Sequence, residues 1–193
     1  MASVSNNYYE GVDAVSPMYE GEEKKDQDRA VWFPVSQTAC VCDGVTSSPC
    51  AEEAAELVTK FSPALFSGDV EQSMKVISDL LVVLRTEKLH SEVNLVANMP
   101  VKMREILQET AREKARYSYQ TTLVAAKFVL EDTMVVSSMV WCGDSVFLAF
   151  DSKGQLLASS PAGSERSKCA VMKTNNDLSS AKHSGNITFG PGE

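Results

Sequence analysis

An aspartate followed by glycine at the tip of a strand offers one carboxylate and one backbone carbonyl. Oxygen donors of that kind suit a hard divalent cation. Asp43-Gly44 is such a pair, in a run from Ala39 through Cys40, Val41 and Cys42 that leads directly into a helix signal at Ser48-Pro49. Asp-Gly is also a common turn dipeptide. It gains chemical meaning from two other segments: Lys24-Lys25-Asp26-Gln27-Asp28-Arg29 ahead of it, and Trp141-Cys142-Gly143-Asp144-Ser145 far behind. Asp28 and Asp144 each have a plainer reading, as a solvated acid at a strand start and as a hairpin-turn aspartate.

These acids need strands to hold them. Residues Arg29 to Cys42 are rich in Val, Trp, Phe and Thr and read as a strand pair or a single bent strand, with Pro34 near the bend. Ser48 is the expected N-cap of a first helix, with Pro49 at its first position, Glu52 and Glu53 in its first turn, and an apolar face running to about Phe66. Ser67-Gly68 breaks it and Asp69 caps a second helix, in which Val70, Met74, Ile77, Leu80, Leu81 and Leu84 recur at helical spacing. Arg85 to Pro100 reads as a connecting loop with room for helical turns, and Val101 opens a third helix that reaches Arg116. Thr121 to Leu130, Met134 to Trp141 and Val146 to Phe150 are β-branched and apolar, with turns at Glu131-Asp132 and Asp151 to Gly154, and Gln155 to Ser159 pairs back. Ile187-Thr188-Phe189 is a last short strand. Strands, then helices, then strands predict an α+β layered domain.

Composition narrows the function. A chain of 193 residues fits one domain with a real core, here spanning 1–193 with a frayed start over 1–22 and a mobile loop over 160–185. The net charge of −8, from 26 acidic and 18 basic residues, weighs against a nucleic-acid surface. No apolar run is long enough to span a bilayer, and the N-terminus lacks the basic start and apolar core of a signal peptide, so a cytoplasmic location is expected. Five cysteines, an odd count, fit reduced core residues; Cys40, Cys42, Cys142 and Cys169 have that setting. Cys40, Cys42 and Cys50 lack the second ligand pair a zinc site needs, and His90 and His183 stand alone.

The motif order Asp26-Gln27-Asp28-Arg29, Val41-Cys42-Asp43-Gly44-Val45, Tyr119-Gln120-Thr121-Thr122-Leu123, Cys142-Gly143-Asp144-Ser145 resembles the metal-dependent protein phosphatase 2C family across Lys24 to Ser159. The resemblance implies an antiparallel β-sandwich flanked by helices, in four αββα layers. It implies hydrolysis of phosphoserine and phosphothreonine in phosphoprotein substrates, with two manganese or magnesium ions that activate a water. By resemblance Asp43 is the carboxylate bridging the two ions and Gly44 supplies a carbonyl ligand. Asp28 is the acid beside the pair, and Asp144 matches an acid used at a third metal position.

The chain departs from the pattern at two places. Glu23 falls near the position of the family's phosphate-gripping arginine, and Lys24 or Lys25 could replace it only as a point charge. The later aspartates of the family's metal site have no counterpart before Glu193. The sequence is therefore expected to be a truncated phosphatase, or else a catalytically inactive domain of the same fold that binds a partner such as a phosphoprotein or a kinase.

Overall fold

A computed structural model describes residues 27–131, 134–150, 153–159 and 183–189. The expected frayed start at 1–22, Glu23, Lys24, Lys25, Cys169 and most of the 160–185 loop lie outside the described residues.

Alternation along three strands divides the apolar residues between two faces of one antiparallel sheet. Strands β1 (Arg29–Phe33) and β2 (Thr38–Cys42) form the hairpin bent at Pro34. β3 (Leu123–Glu131) and β4 (Met134–Cys142) form the second hairpin, and β7 (His183–Phe189) pairs with β4. β2 lies against β3, which gives the order β1-β2-β3-β4-β7. β5 (Leu148–Phe150) and β6 (Leu156–Ser159) form a separate two-stranded sheet.

One face of the large sheet presents Cys40, Cys42, Leu123, Ala125, Val140 and Cys142, all at most 1% exposed. Helices α1 (Ala51–Phe61) and α2 (Val70–Leu95) cover it with Ala54, Ala55, Val58, Met74, Ile77 and Leu81, and a 3-10 turn at Ser62–Phe66 adds Leu65. Alanine and cysteine on both sides let the backbones approach closely, and Leu, Ile and Met fill the remaining space to native density. The opposite face carries Val124, Ala126, Met139 and Trp141, with Phe128 and Phe147 against them.

Three expectations are corrected. The first helix does not continue unbroken to Phe66: it tightens to the 3-10 turn after Phe61, at Ser62-Pro63. Ser48 does not cap it. The cap position is Cys50, in the left-handed conformation at φ 61°, and no side chain caps the helix. The expected loop from Arg85 is helical as far as Leu95, so α2 has 26 residues. Its last turns keep helical backbone because α3 (Val101–Arg116) packs beside it. Among the described side chains of α3, Ala111 and Ala115 are buried, whereas Val101, Met103 and Ile106 face outward.

Asp69 does cap α2 as expected: its Oδ1 accepts from the Gln72 N–H at 2.9 Å. Asp69→Ala leaves that donor to water, and a loss of about 1 kcal/mol is expected in chemical denaturation. Asp69→Asn is expected to recover most of it.

Candidate functional site

The strand registers decide which residues meet. Arg29 pairs with Cys42, so the next residues outward, Asp28 and Asp43, come level at the ends of β1 and β2. Val41 pairs with Val124, and the ladder continues to bring Asp43 beside Thr122. Leu123 pairs with Cys142, which sets Thr122 beside Gly143, with Asp144 next in sequence. A row of Asp28, Asp43, Thr122 and Gly143 therefore crosses four strand ends. All three acids expected from the sequence lie at this one end of the sheet.

Hydrogen bonds fix the row. The Asp43 N–H donates to Thr122 Oγ1 at 3.0 Å, and the Asp43 carbonyl accepts from the Thr122 N–H at 2.8 Å and from Thr121 Oγ1 at 2.9 Å. Thr122 Oγ1 also bonds Ser145 Oγ, beside Asp144. The Gly44 N–H donates to the Gln27 carbonyl at 3.2 Å. On the other side of Gln27-Asp28, Arg29 Nη1 donates to the Asp28 carbonyl and Nη2 to Glu52 Oε1, both at 2.7 Å, which ties the start of β1 to the first turn of α1.

The loop after Gly44 is held by the segment that leads into β3. Ser48 Oγ donates to the Tyr117 carbonyl at 2.7 Å and accepts from the Gln120 N–H at 3.1 Å. The Tyr119 N–H donates to the Pro49 carbonyl at 3.0 Å, and the Tyr119 hydroxyl donates to Glu53 at 3.1 Å. Burial pushes that hydroxyl's pKa up, with Cys50 and Glu53 adding to the effect, so it stays a donor. Tyr119 and Cys50 are both in the left-handed region, at φ 59° and 61°. Such backbone persists where surrounding contacts over-determine it.

The electrostatics single out Asp43. The residue is open to solvent on one side. Its carboxyl is nevertheless pushed up to about 6, first by partial withdrawal from water, then by a hydrogen bond and like charge from Asp28, then by the charge of Asp144. Behind it, Cys40 and Cys42 put their sulfurs 3.7 Å apart in the core. Burial pushes the Cys42 thiol well up, whereas the hydrogen bond between the two pulls the Cys40 thiol down; both side chains are buried and pack behind the site.

A carboxylate whose proton affinity is raised by an acidic neighbour belongs to a donor set that a cation relieves. Asp28, Asp43 and the Gly44 carbonyl fit one hard divalent ion in donor chemistry. Among the described residues no group of three acidic, cysteine or histidine side chains stands close enough to cage one, so the remaining ligands would be water or a rearranged Asp144. The same donors are too few for two ions. Thr122, Thr121, Ser48 and Ser145 were not singled out as site residues by the sequence. The one available signal was the Thr121-Thr122 pair opening a strand.

The sequence profile of protein phosphatase 2C matches residues 19–184. No curated protein matches the chain in sequence. Among solved structures, a bacterial serine phosphatase carrying an arginine-to-lysine mutation superposes with a TM-score of 0.50 at 16% identity, over 86% of this chain and 68% of that one. The serine/threonine phosphatase Stp1 from Staphylococcus aureus gives a TM-score of 0.47 at 16% identity, over 94% of this chain and 76% of that one. At such identity the first of these likenesses speaks for the fold, an α+β arrangement of antiparallel sheet and helices. With a profile match over most of its length, the chain belongs to the protein phosphatase 2C family.

Proposed function

We propose that this chain hydrolyses phosphoserine or phosphothreonine in protein substrates with the help of bound manganese or magnesium. The observation that carries the proposal is the convergence of Asp28 and Asp43 at adjacent strand ends, with Asp144 close enough for its charge to be felt at Asp43. In this reading Asp43 and Asp28 are the anionic ligands, Gly44 contributes its carbonyl, and Asp144 approaches from the neighbouring hairpin. A divalent cation held there supplies Lewis-acid activation of water and charge neutralisation at the phosphoryl group. The chain's own part is to hold the ligands in place. The Thr121 and Thr122 bonds fix the backbone of Asp43, and Arg29 fixes that of Asp28.

The compartment fits the same reading. Among the described residues Cys40, Cys42, Cys50 and Cys142 are thiols, as a reducing cytoplasm would leave them, and no helix is long and apolar enough to cross a membrane.

The second reading is a binding module of the same fold that recognises a phosphoprotein without turning it over; among the described residues no three acidic, cysteine or histidine side chains stand together. One experiment separates the two. Purified chain is incubated with a phosphoserine peptide, with and without manganese, and released phosphate is measured. Manganese-dependent release supports the enzyme. Peptide binding without release at any manganese concentration supports the module and overturns the enzyme.

A further inference from the structure

We infer that Thr122 is the positioning residue of this site, a single side chain that couples the Asp43 strand end to the hairpin carrying Asp144 and so sets the spacing of the two acids; the inference rests on the metal-dependent reading above. Thr122 is 3% exposed, and its side chain is divided between two tasks. Its hydroxyl accepts from the Asp43 N–H and is hydrogen-bonded to Ser145, next to Asp144. Its methyl lies against Gly143. A Cβ built on Gly143 would meet the Thr122 Cβ and Cγ2 at 2.9 Å each, so the hairpin lies directly on that methyl. Gly143 is at φ +96°, a conformation that glycine adopts without strain.

The contacts span 79 residues to Asp43 and 23 to Ser145, which makes Thr122 a tertiary link and not a local turn device. The neighbouring Thr121 hydroxyl does not duplicate it. Thr121 donates to the Asp43 carbonyl and to the Thr122 carbonyl, both on the β2–β3 side, and reaches neither Gly143 nor Ser145 in any bond described. Valine at 122 keeps the shape of threonine but leaves the Asp43 N–H, in a part-buried bond, without its acceptor, which is costly. Serine keeps the acceptor and loses only the methyl.

The test is manganese affinity by calorimetry, with metal-free thermal midpoints measured on the same preparations. Wild type is expected to bind manganese, Thr122→Val to bind about 10- to 100-fold more weakly, in the range that outer-shell partners contribute, and Thr122→Ser to bind within about threefold of wild type, a change smaller than one outer-shell partner makes. Ser145→Ala breaks the link from its other end without touching the Asp43 N–H, and is also expected to weaken binding. Wild-type affinity in both Thr122→Val and Ser145→Ala overturns the inference. If Thr122→Val fails to fold, Ser145→Ala decides alone. If wild type binds no manganese, the metal-dependent reading falls and this inference with it, a result distinguishable from wild-type binding that the variants leave unchanged.

Discussion

Asp43→Asn is expected to remove manganese-dependent phosphate release while raising the thermal stability of the metal-free chain at neutral pH. The first effect follows from charge. Asparagine keeps the shape and loses the anion, and Asp43 is the carboxylate that feels both Asp28 and Asp144. Loss of a central ligand is expected to lower the rate by about 10³-fold or more, equal to about 4 kcal/mol of barrier. The second effect follows from linkage. In the fold the Asp43 carboxyl titrates at about 6, against about 3.9 for an unperturbed aspartate. The folded state therefore holds more protons than the unfolded state between those values. Stability is full below about pH 4 and declines as pH rises through about 6. Above that, an ionised Asp43 facing Asp28 costs the metal-free fold something that asparagine does not. Because Asp43 is partly open to water, the gain is expected to be only about 1 kcal/mol, or about 2–4 °C in midpoint. Melting curves of both proteins at pH 4 and pH 7.5, with chelator, check it: the midpoints should coincide at pH 4 and separate at pH 7.5. Manganese should then raise the wild-type midpoint and leave that of Asp43→Asn unchanged. A variant that keeps turnover within tenfold of wild type would remove Asp43 from the site.

That opposition between site and stability also marks where the sequence was legible. β3 and β4 were readable because apolar and β-branched residues run over segments bounded by turn residues, and in β3 they divide between two faces, Leu123 and Ala125 on one and Val124 and Ala126 on the other. The cap at Asp69 was readable because its bond is local, three residues ahead. Ser48 misled because its local context suited a cap. Two partners about 70 residues away, the Tyr117 carbonyl and the Gln120 N–H, claim its hydroxyl, and the helix starts from Cys50 without it. The end of α2 was missed because His90 to Asn94 is polar, and nothing in a polar run reveals that α3 will lie beside it. The three acids could be named from the order of their motifs. Their apposition depends on the pairings Arg29 to Cys42 and Leu123 to Cys142, which residue types alone do not specify. Thr122 is the extreme case, since both partners of its hydroxyl are long-range.

Gly44→Ala is expected to damage the site through packing alone, with all of its acids intact. Gly44 does not owe its identity to a left-handed turn. A Cβ there would stand 2.8 Å from the Gln27 carbonyl oxygen, 2.9 Å from the Gln27 Cβ and 3.0 Å from the Ala51 Cβ. Two of these atoms belong to the approach to β1 and the third to the first residue of α1, so a methyl has no flexible side-chain end to displace. The backbone must move instead, and Gln27-Asp28, at the end of the sheet, is the segment the methyl would push against. The cost in stability is expected to be about 1–3 kcal/mol, the usual range for overpacking. The cost in activity is expected to be larger, about 10²-fold, because a shift of about 1 Å in a reacting group has that effect. The shift has its own signature. As Asp28 recedes, the hydrogen bond and like charge that raise the Asp43 carboxyl weaken, and its titration moves back toward the ordinary carboxylate range. Carboxyl chemical shifts followed from pH 3 to 8 would show Asp43 titrating lower in Gly44→Ala than in wild type, and the loss of metal-free stability between pH 4 and 6 would flatten in step. If activity falls while the Asp43 titration stays at about 6, Gly44 acts through its carbonyl and not through the space it leaves for Asp28.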